Sequence, residues 1–267
     1  MTSTPAASPL VSCLMITRDR PVFAARAIRC FANQRYQARE LIIVCHGTSD
    51  YRRYLAALAR QHEITDVTIF GAAQDMSLGA LRNRALDAAS GDLICIWDDD
   101  DCSHPDRLAT QVANLIEESS HSCFLGEHLQ LFDRTLYWIN WELGTPKARY
   151  PLLPGTMLMT NDRRFRYPES GRYAHLAEDW ALMTDLHHRV RVSYVRDQGQ
   201  LYLYNYHGSN TFSAEHHAKL RIRSLTAAAI TEKEPLIRAA MAYFSICGPV
   251  QVWGCDGPAF SIEKGVA

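Results

Sequence analysis

Four aspartates in a row, Asp98 to Asp101, follow the apolar run Leu93-Ile94-Cys95-Ile96-Trp97. Four like charges at one point repel one another unless something positive meets them. A carboxylate cluster at the end of a buried strand suits a divalent metal or a polar ligand. Side chains alternate along a strand, so persisting strand geometry puts Asp98 and Asp100 on one side and Asp99 and Asp101 on the other. A solvated acidic turn or a helix N-terminus, with Ser103 and Asp106 following, accounts for one or two of these acids but not for four. A second acidic pair, Glu178-Asp179, opens a helical pattern near Ala177. On residue type alone that pair is an ordinary acidic helix start.

These residues need a frame. Val11 to Ile16 reads as a strand, and Pro21 opens a helix with Phe23, Ala27, Ile28 and Phe31 on one face. Strands are expected at Leu41–Val44, Val67–Phe70 and Leu93–Trp97, with helices at Tyr51–Gln61 and Leu78–Ala89 between them. Alternating strands and helices imply a mainly parallel sheet covered by helices on both faces. Ligands bind such sheets at the carboxyl ends of the strands. Thr17-Arg18-Asp19, Cys45-His46-Gly47 and Asp98 to Asp101 all lie at such ends, so three polar segments converge on one rim.

The second half is less regular. A helix is expected over Pro105–Glu118 and strands over Phe124–Leu131 and Arg134–Trp141. Residues 151–160 read as turn-rich, then apolar. A helix at Ala177–His187 and strands at Val190–Val195 and Leu201–Tyr206 follow. Helical stretches at His216–Ile230 and Glu234–Ile246 separate near Pro235, and the last twenty residues show no clear periodicity. The expected organisation is a polar tail over 1–9, a catalytic α/β domain over 10–215 and a C-terminal helical extension over 216–267.

The chain has 267 residues, 47% of them hydrophobic, and a formal net charge of -1. There is material for a sizeable core and no basic excess that would suggest nucleic-acid binding. No apolar stretch is long enough to cross a bilayer, and residues 1–9 lack the pattern of a signal peptide. The eight cysteines form no C-x-x-C pair and several sit beside apolar neighbours, which fits buried free thiols in a reducing cytoplasm.

Taken in order, Val11-Ser-Cys-Leu-Met-Ile-Thr-Arg-Asp-Arg-Pro21, Glu40-Leu-Ile-Ile-Val44, Leu78-Gly-Ala-Leu-Arg-Asn83 with Ala88 and Gly91-Asp92, Trp97-Asp-Asp-Asp-Asp101 with Pro105, Glu178-Asp179-Trp180 and His207-Gly-Ser-Asn210 resemble a family 2 glycosyltransferase with the GT-A fold. The pieces span roughly the first four-fifths of the chain. The resemblance implies an inverting, metal-dependent transfer of one sugar from a nucleotide-diphosphate sugar to a hydroxyl of a glycan, lipid-linked or small-molecule acceptor. It implies Asp100 as the ligand of Mn²⁺ or Mg²⁺, with Asp98 and Asp99 toward the donor's ribose, sugar or metal-bound water, and Asp101 as a cap for the following helix. Asp179 becomes the base that takes the acceptor's proton, with Glu178 the adjacent alternative. Thr17, Arg18 and Arg82 fall on the nucleotide side, and His207 is a further metal or diphosphate contact. Trp138, Trp141 and Trp180 offer aromatic faces for an acceptor sugar, with core packing the expected role of at least one.

Two departures stand out. The acidic turn that the family carries after its second strand, which reads the base, is Cys45-His46-Gly47-Thr48 here, with His46 the replacement contact. That weighs against a uridine donor and leaves thymidine, guanosine and cytidine open. The Gln-x-x-Arg-Trp signature and membrane helices of processive synthases are missing, while peripheral membrane association stays open. Two other functions share the acidic cluster. A nucleotidyltransferase-type phosphoryl-transfer enzyme would need a Gly-rich phosphate loop and a nearby lysine, and Leu10 to Pro21 holds neither. A catalytically degenerate nucleotide-sugar-binding module has only the altered turn in its favour.

Overall fold

The computed structural model describes residues 8–143, 153–246 and 248–263. The first half alternates as its hydrophobic pattern requires: β1 (Val11–Thr17), α1 (Pro21–Ala32), β2 (Arg39–Cys45), α2 (Ser49–Gln61), β3 (Val67–Gly71), α3 (Leu78–Ala88) and β4 (Leu93–Ile96). Thr48 caps α2 by accepting from Tyr51 N at 3.1 Å, and Ser77 caps α3 by accepting from Ala80 N at 3.2 Å. Pro21 begins α1 where its missing N–H costs nothing.

The rest comprises β5 (Cys102–Ser103), α4 (Arg107–Glu117), β6 (Ser122–Leu125), β7 (Glu127–Phe132), β8 (Thr135–Asn140), β9 (Leu158–Thr160), α5 (Glu178–Arg189), β10 (Val192–Val195), β11 (Tyr202–Asn205), α6 (Ala214–Leu220), α7 (Ala227–Glu232), α8 (Glu234–Phe244), β12 (Val250–Gly254) and β13 (Gly257–Ile262). One sheet runs β10-β6-β9-β4-β1-β2-β3 and is parallel except at β9, which is antiparallel to both neighbours. A second, mixed sheet runs β13-β12-β8-β7-β11-β5.

The main sheet is buried on both faces. Leu41, Ile43 and Cys45 of β2 enter one apolar cluster, whereas Ile42 and Val44 enter the other. In the register, Thr17 pairs with Cys45 and Leu14 with Ile96, so β1, β2 and β4 end at one edge.

Several expectations change. The run Phe124–Leu131 is two strands, because the chain breaks at Gly126 and passes from the first sheet to the second. The stretch His216–Ile230 breaks at Ser224–Thr226. Residues 250–262, which showed no periodicity, form a hairpin that joins the second sheet through the parallel pair β12–β8, so residues 216–267 are not purely helical. The turn-rich reading at 151–160 lies partly outside the described residues, as do Cys247 and most of the tail over 1–9.

Candidate active site

Trp97 anchors the acidic run. Its indole Nε1 donates to Ala27 O at 3.0 Å and its ring meets Phe31 edge-on, so the end of β4 is tied to α1. Beneath it lies the fully buried Arg107, whose guanidinium donates to Gln111 Oε1, Ser103 Oγ, Ile96 O and Gly155 O. These four acceptors offset the cost of burying a cation. Gly155 is required by space, since a β-carbon there would stand 2.9 Å from both Asp98 Oδ2 and the Tyr202 hydroxyl.

The strand ends at Ile96, and strict alternation does not carry through the four aspartates. Arg82 Nη2 donates to Asp98 at 3.3 Å. Asp99 is clamped by Arg20 through Nε and Nη2. The third nitrogen of Arg20, Nη1, reaches Asp100 Oδ2 at 2.9 Å. Asp99 and Asp100 thus share one guanidinium instead of pointing to opposite sides. His207 Nε2 also meets Asp100 Oδ2, at 3.1 Å. Asp101 accepts from the Tyr202 hydroxyl at 2.5 Å and from Asn205 N at 2.9 Å. It is no helix cap; α4 begins after Asp106, and Asp101 ties the run to β11 instead.

The cluster therefore carries less charge than four free carboxylates. Burial, and then Asp100, pushes the Asp99 carboxyl up to about 7. Burial also raises Asp98 against the pull of Arg82, and raises Asp101. Burial opposes ionisation of Asp100 too, but the His207 hydrogen bond and the Arg20 charge outweigh it and hold that carboxyl below its usual value. Asp100 is the acid of the run best suited to remain a carboxylate.

Across the cleft, Glu178 and Asp179 open α5. Glu178 is buried and accepts from Arg82 Nε at 2.7 Å. Arg82 therefore bridges the acidic run and the second acidic pair, with Tyr167 under its guanidinium. Asp179 Oδ1 accepts from Trp180 N at 2.7 Å. Burial, and then the charge of Glu178, raises its pKa to about 6. Ala177, just before the helix, is held at φ 62°, a left-handed conformation that costs a side-chain-bearing residue energy.

One cleft of about 600 Å³ gathers these groups, lined by Thr17, Arg18, Arg20, His46, Arg82, all four aspartates, Glu178 and Asp179. Met76, Leu78 and Leu81 give it an apolar patch, and Ser209 to Phe212 form a further part of the wall. Thr17 Oγ1 pairs with the Tyr51 hydroxyl at 2.6 Å. His46 Nε2 lies 3.1 Å from Gln74 O; a carbonyl only accepts, so that nitrogen bears a proton. The Asp19 carboxylate stands beside this turn and accepts from Thr48 N at 3.2 Å. His207 is held by its own loop: its N–H donates to Asn210 Oδ1, and its Nδ1 pairs with Ser209 Oγ.

Of the three tryptophans, Trp138 is fully buried and donates to Glu127 Oε2 at 2.7 Å, so it is a core residue and no acceptor platform. Trp141 is half-buried against His128. Trp180 is exposed next to Asp179. Arg20 and Tyr204 were not singled out from the sequence, though Arg20 sits in the same Thr17–Pro21 loop that was.

A cation fits here in a limited way. Asp100 Oδ2 and His207 Nε2 converge, and a carboxylate oxygen with an imidazole nitrogen suits Mn²⁺ once the ring proton sits on Nδ1, against Ser209 Oγ. Among the described residues no group of three or more His, Cys, Asp and Glu side chains is arranged to hold a metal. The remaining ligands would have to come from water and a bound diphosphate, as is usual for Mg²⁺.

A mostly parallel sheet with an acidic run at its carboxyl edge, facing a second acidic pair across one cleft, is the architecture of the GT-A fold class. Residues 12–161 match the family model described as Glycosyl transferase family 2, and the chain belongs to that family. It is 29% identical over 158 residues to "Putative glycosyltransferase EpsE" of Bacillus subtilis (strain 168), covering 59% of this chain and 54% of that one. It is 32% identical over 120 residues to "Putative colanic acid biosynthesis glycosyl transferase WcaA" of Escherichia coli (strain K12), covering 43% and 41%. The chain thus spans about half the length of these curated relatives or less. Two solved structures share the fold at 15% identity. S. aureus TarS 1-349 in complex with UDP-GlcNAc superposes with a TM-score of 0.59 over 87% of this chain and 66% of that one. The mannosyltransferase PcManGT from Pyrobaculum calidifontis, in complex with GDP-Man and Mn²⁺, gives 0.56 over 91% and 71%. No helix among the described residues is long and apolar enough to cross a membrane.

Proposed function

We propose that this chain transfers a single sugar, with inversion, from a nucleotide-diphosphate sugar to an acceptor hydroxyl of a glycan, lipid-linked molecule or small molecule. One observation carries the reading: the acidic run and the Glu178-Asp179 pair line the same cleft and are joined by Arg82. The nucleotide lies toward Thr17, Arg18 and His46, and the diphosphate toward Asp98 to Asp100. A divalent cation, Mn²⁺ or Mg²⁺, held by Asp100 and His207, supplies charge neutralisation at the leaving diphosphate. Asp179 takes the acceptor's proton. Its raised pKa keeps it basic enough to do so while it remains ionised at neutral pH. Glu178 is unsuited to that task, since its carboxylate is buried and held by Arg82. The role of Arg82 on this reading is to set the two acidic groups in place.

The Cys45–Thr48 turn puts the His46 imidazole on the cleft wall in place of the family's acidic contact, so the choice of base rests on the binding test and not on this turn. UDP-GlcNAc and GDP-Man, the donors bound by TarS and PcManGT, are the first to try. Six buried free cysteines among the described residues support a reducing, cytoplasmic setting. Residues 10–215 are the proposed catalytic domain and 216–267 the proposed extension, whose hairpin β12–β13 continues the second sheet.

The test is nucleotide release from UDP-GlcNAc and GDP-Man with Mn²⁺, by wild type and Asp179→Asn. Release by wild type and its loss in the variant supports the reading. Equal release by both removes Asp179 as base, and binding without turnover by wild type under every donor and acceptor tried favours a degenerate module.

A further inference from the structure

Asp100 Oδ2 is engaged twice, by Arg20 Nη1 at 2.9 Å and by His207 Nε2 at 3.1 Å. A cation that takes Oδ2 must displace one of these donors, and one held through the other carboxylate oxygen still sits beside the Arg20 guanidinium. The loop cannot step aside easily, because Arg26 Nη2 donates to the backbone carbonyl of Asp100 at 2.6 Å. The side-chain contacts are therefore the ones that yield.

Arg20 is built to yield without letting go. Its Nε and Nη2 clamp Asp99, and only Nη1 rests on Asp100. Its side chain is 32% exposed and lines the cleft, whereas that of Asp99 is 1% exposed. A small rotation about the Asp99 clamp would free Asp100 and leave Nη1 to an anion in the cleft, a diphosphate being one whose geometry guanidinium N–H groups match. The protein alone offers a cation no third side-chain ligand among the described residues.

We propose that Arg20 is a resident counter-cation that guards the metal-ligand oxygen of Asp100 until cation and nucleotide diphosphate arrive together, and then moves onto the diphosphate. This rests on reading the cleft as a metal-nucleotide site. Metal and diphosphate then bind with positive coupling, each strengthening the other by the same factor. Arg20 favours the metal-free state when no diphosphate is present and favours diphosphate when it is.

The experiment is a Mn²⁺ titration followed by the electron paramagnetic resonance signal of free Mn²⁺. It is run with and without uridine or guanosine diphosphate, with nucleotide-only controls. The proteins are wild type, Arg20→Met and the charge-balanced double variant Arg20→Met/Asp99→Asn, which leaves no unpaired buried carboxylate at position 99. Wild type is expected to bind Mn²⁺ roughly 5- to 150-fold more tightly with a diphosphate than without, the usual span of such coupling. Both variants are expected to bind Mn²⁺ alone more tightly than wild type, and diphosphate in metal-free buffer more weakly. Unchanged or weaker Mn²⁺ affinity in the double variant overturns the guarding role and leaves the metal site standing. No Mn²⁺ binding by wild type with either diphosphate overturns both.

Discussion

On the proposed reading Glu178 sets the working pH of Asp179, and Glu178→Gln isolates that effect. Asp179 has a pKa of about 6, raised first by burial and then by the Glu178 charge, with Arg82 pulling the other way. The substitution removes the like charge and keeps an amide oxygen that can still accept from Arg82 Nε. Carboxylates on adjacent residues are held within ~10 Å of each other by the reach of the chain, and two unit charges at that distance and an effective dielectric of ~20 interact by ~1.7 kcal/mol, or ~1.2 pH units. Removal of one of them therefore lowers the Asp179 pKa from about 6 to ~4.8, since the group becomes easier to ionise. The assay is kcat/KM against pH, whose acid limb reports the free enzyme's base. At pH ~5 the ionised fraction rises from ~0.09 to ~0.6, so the variant is about sevenfold more active than wild type there and similar near pH ~8. An acid limb that stays in place, or moves to higher pH, refutes either Asp179 as the base or Glu178 as the charge acting on it. Uniform loss at every pH shows that Glu178 works through structure alone.

Asp179→Asn should lower kcat by about 10²- to 10⁴-fold, the usual contribution of a general base, with nucleotide binding by calorimetry unchanged. Trp138→Ala opens a cavity and strips Glu127 of a donor, and should cost about 3–5 kcal/mol in urea unfolding. Arg107→Met leaves Gln111, Ser103 and two carbonyls without their shared donor, and should destabilise by about 3–5 kcal/mol while purified protein that folds keeps its nucleotide affinity. His46→Phe should weaken nucleotide diphosphate binding while leaving Mn²⁺ dependence intact, measured by calorimetry with each nucleotide in turn.

The alternating half of the fold was legible because strands such as Leu41–Val44 are continuous apolar runs bounded by turns and separated by amphipathic helices. The acids were legible because carboxylates directly after such a strand have few structural reasons to be there. Gly126 was the one mark of a strand changing sheets, and the apolar residues on either side hid it. The hairpin at Val250–Ile262 was missed although Val250, Val252 and Gly254 alternate with exposed residues, because Gly and Pro interrupt the pattern. Pairings across the fold were beyond the sequence. Arg20 lies 79 residues from Asp99, and Arg82 lies 96 from Glu178. Which guanidinium meets which carboxylate is decided by packing, and so Asp101 proved a tie to β11 and no helix cap once the chain was folded. Trp138 shows the same limit, since nothing local separates a core indole from one on a cleft wall.

The most direct measurement is calorimetric titration of uridine, guanosine, thymidine and cytidine diphosphates, each with Mn²⁺, into wild type and Asp100→Ala. At least one nucleotide should bind the wild type in a Mn²⁺-dependent way, and that binding should be lost in a variant that remains folded by circular dichroism. A wild type that binds none of them, or an Asp100→Ala variant that binds as tightly, would contradict the assignment of this cleft to a metal-assisted nucleotide-sugar donor.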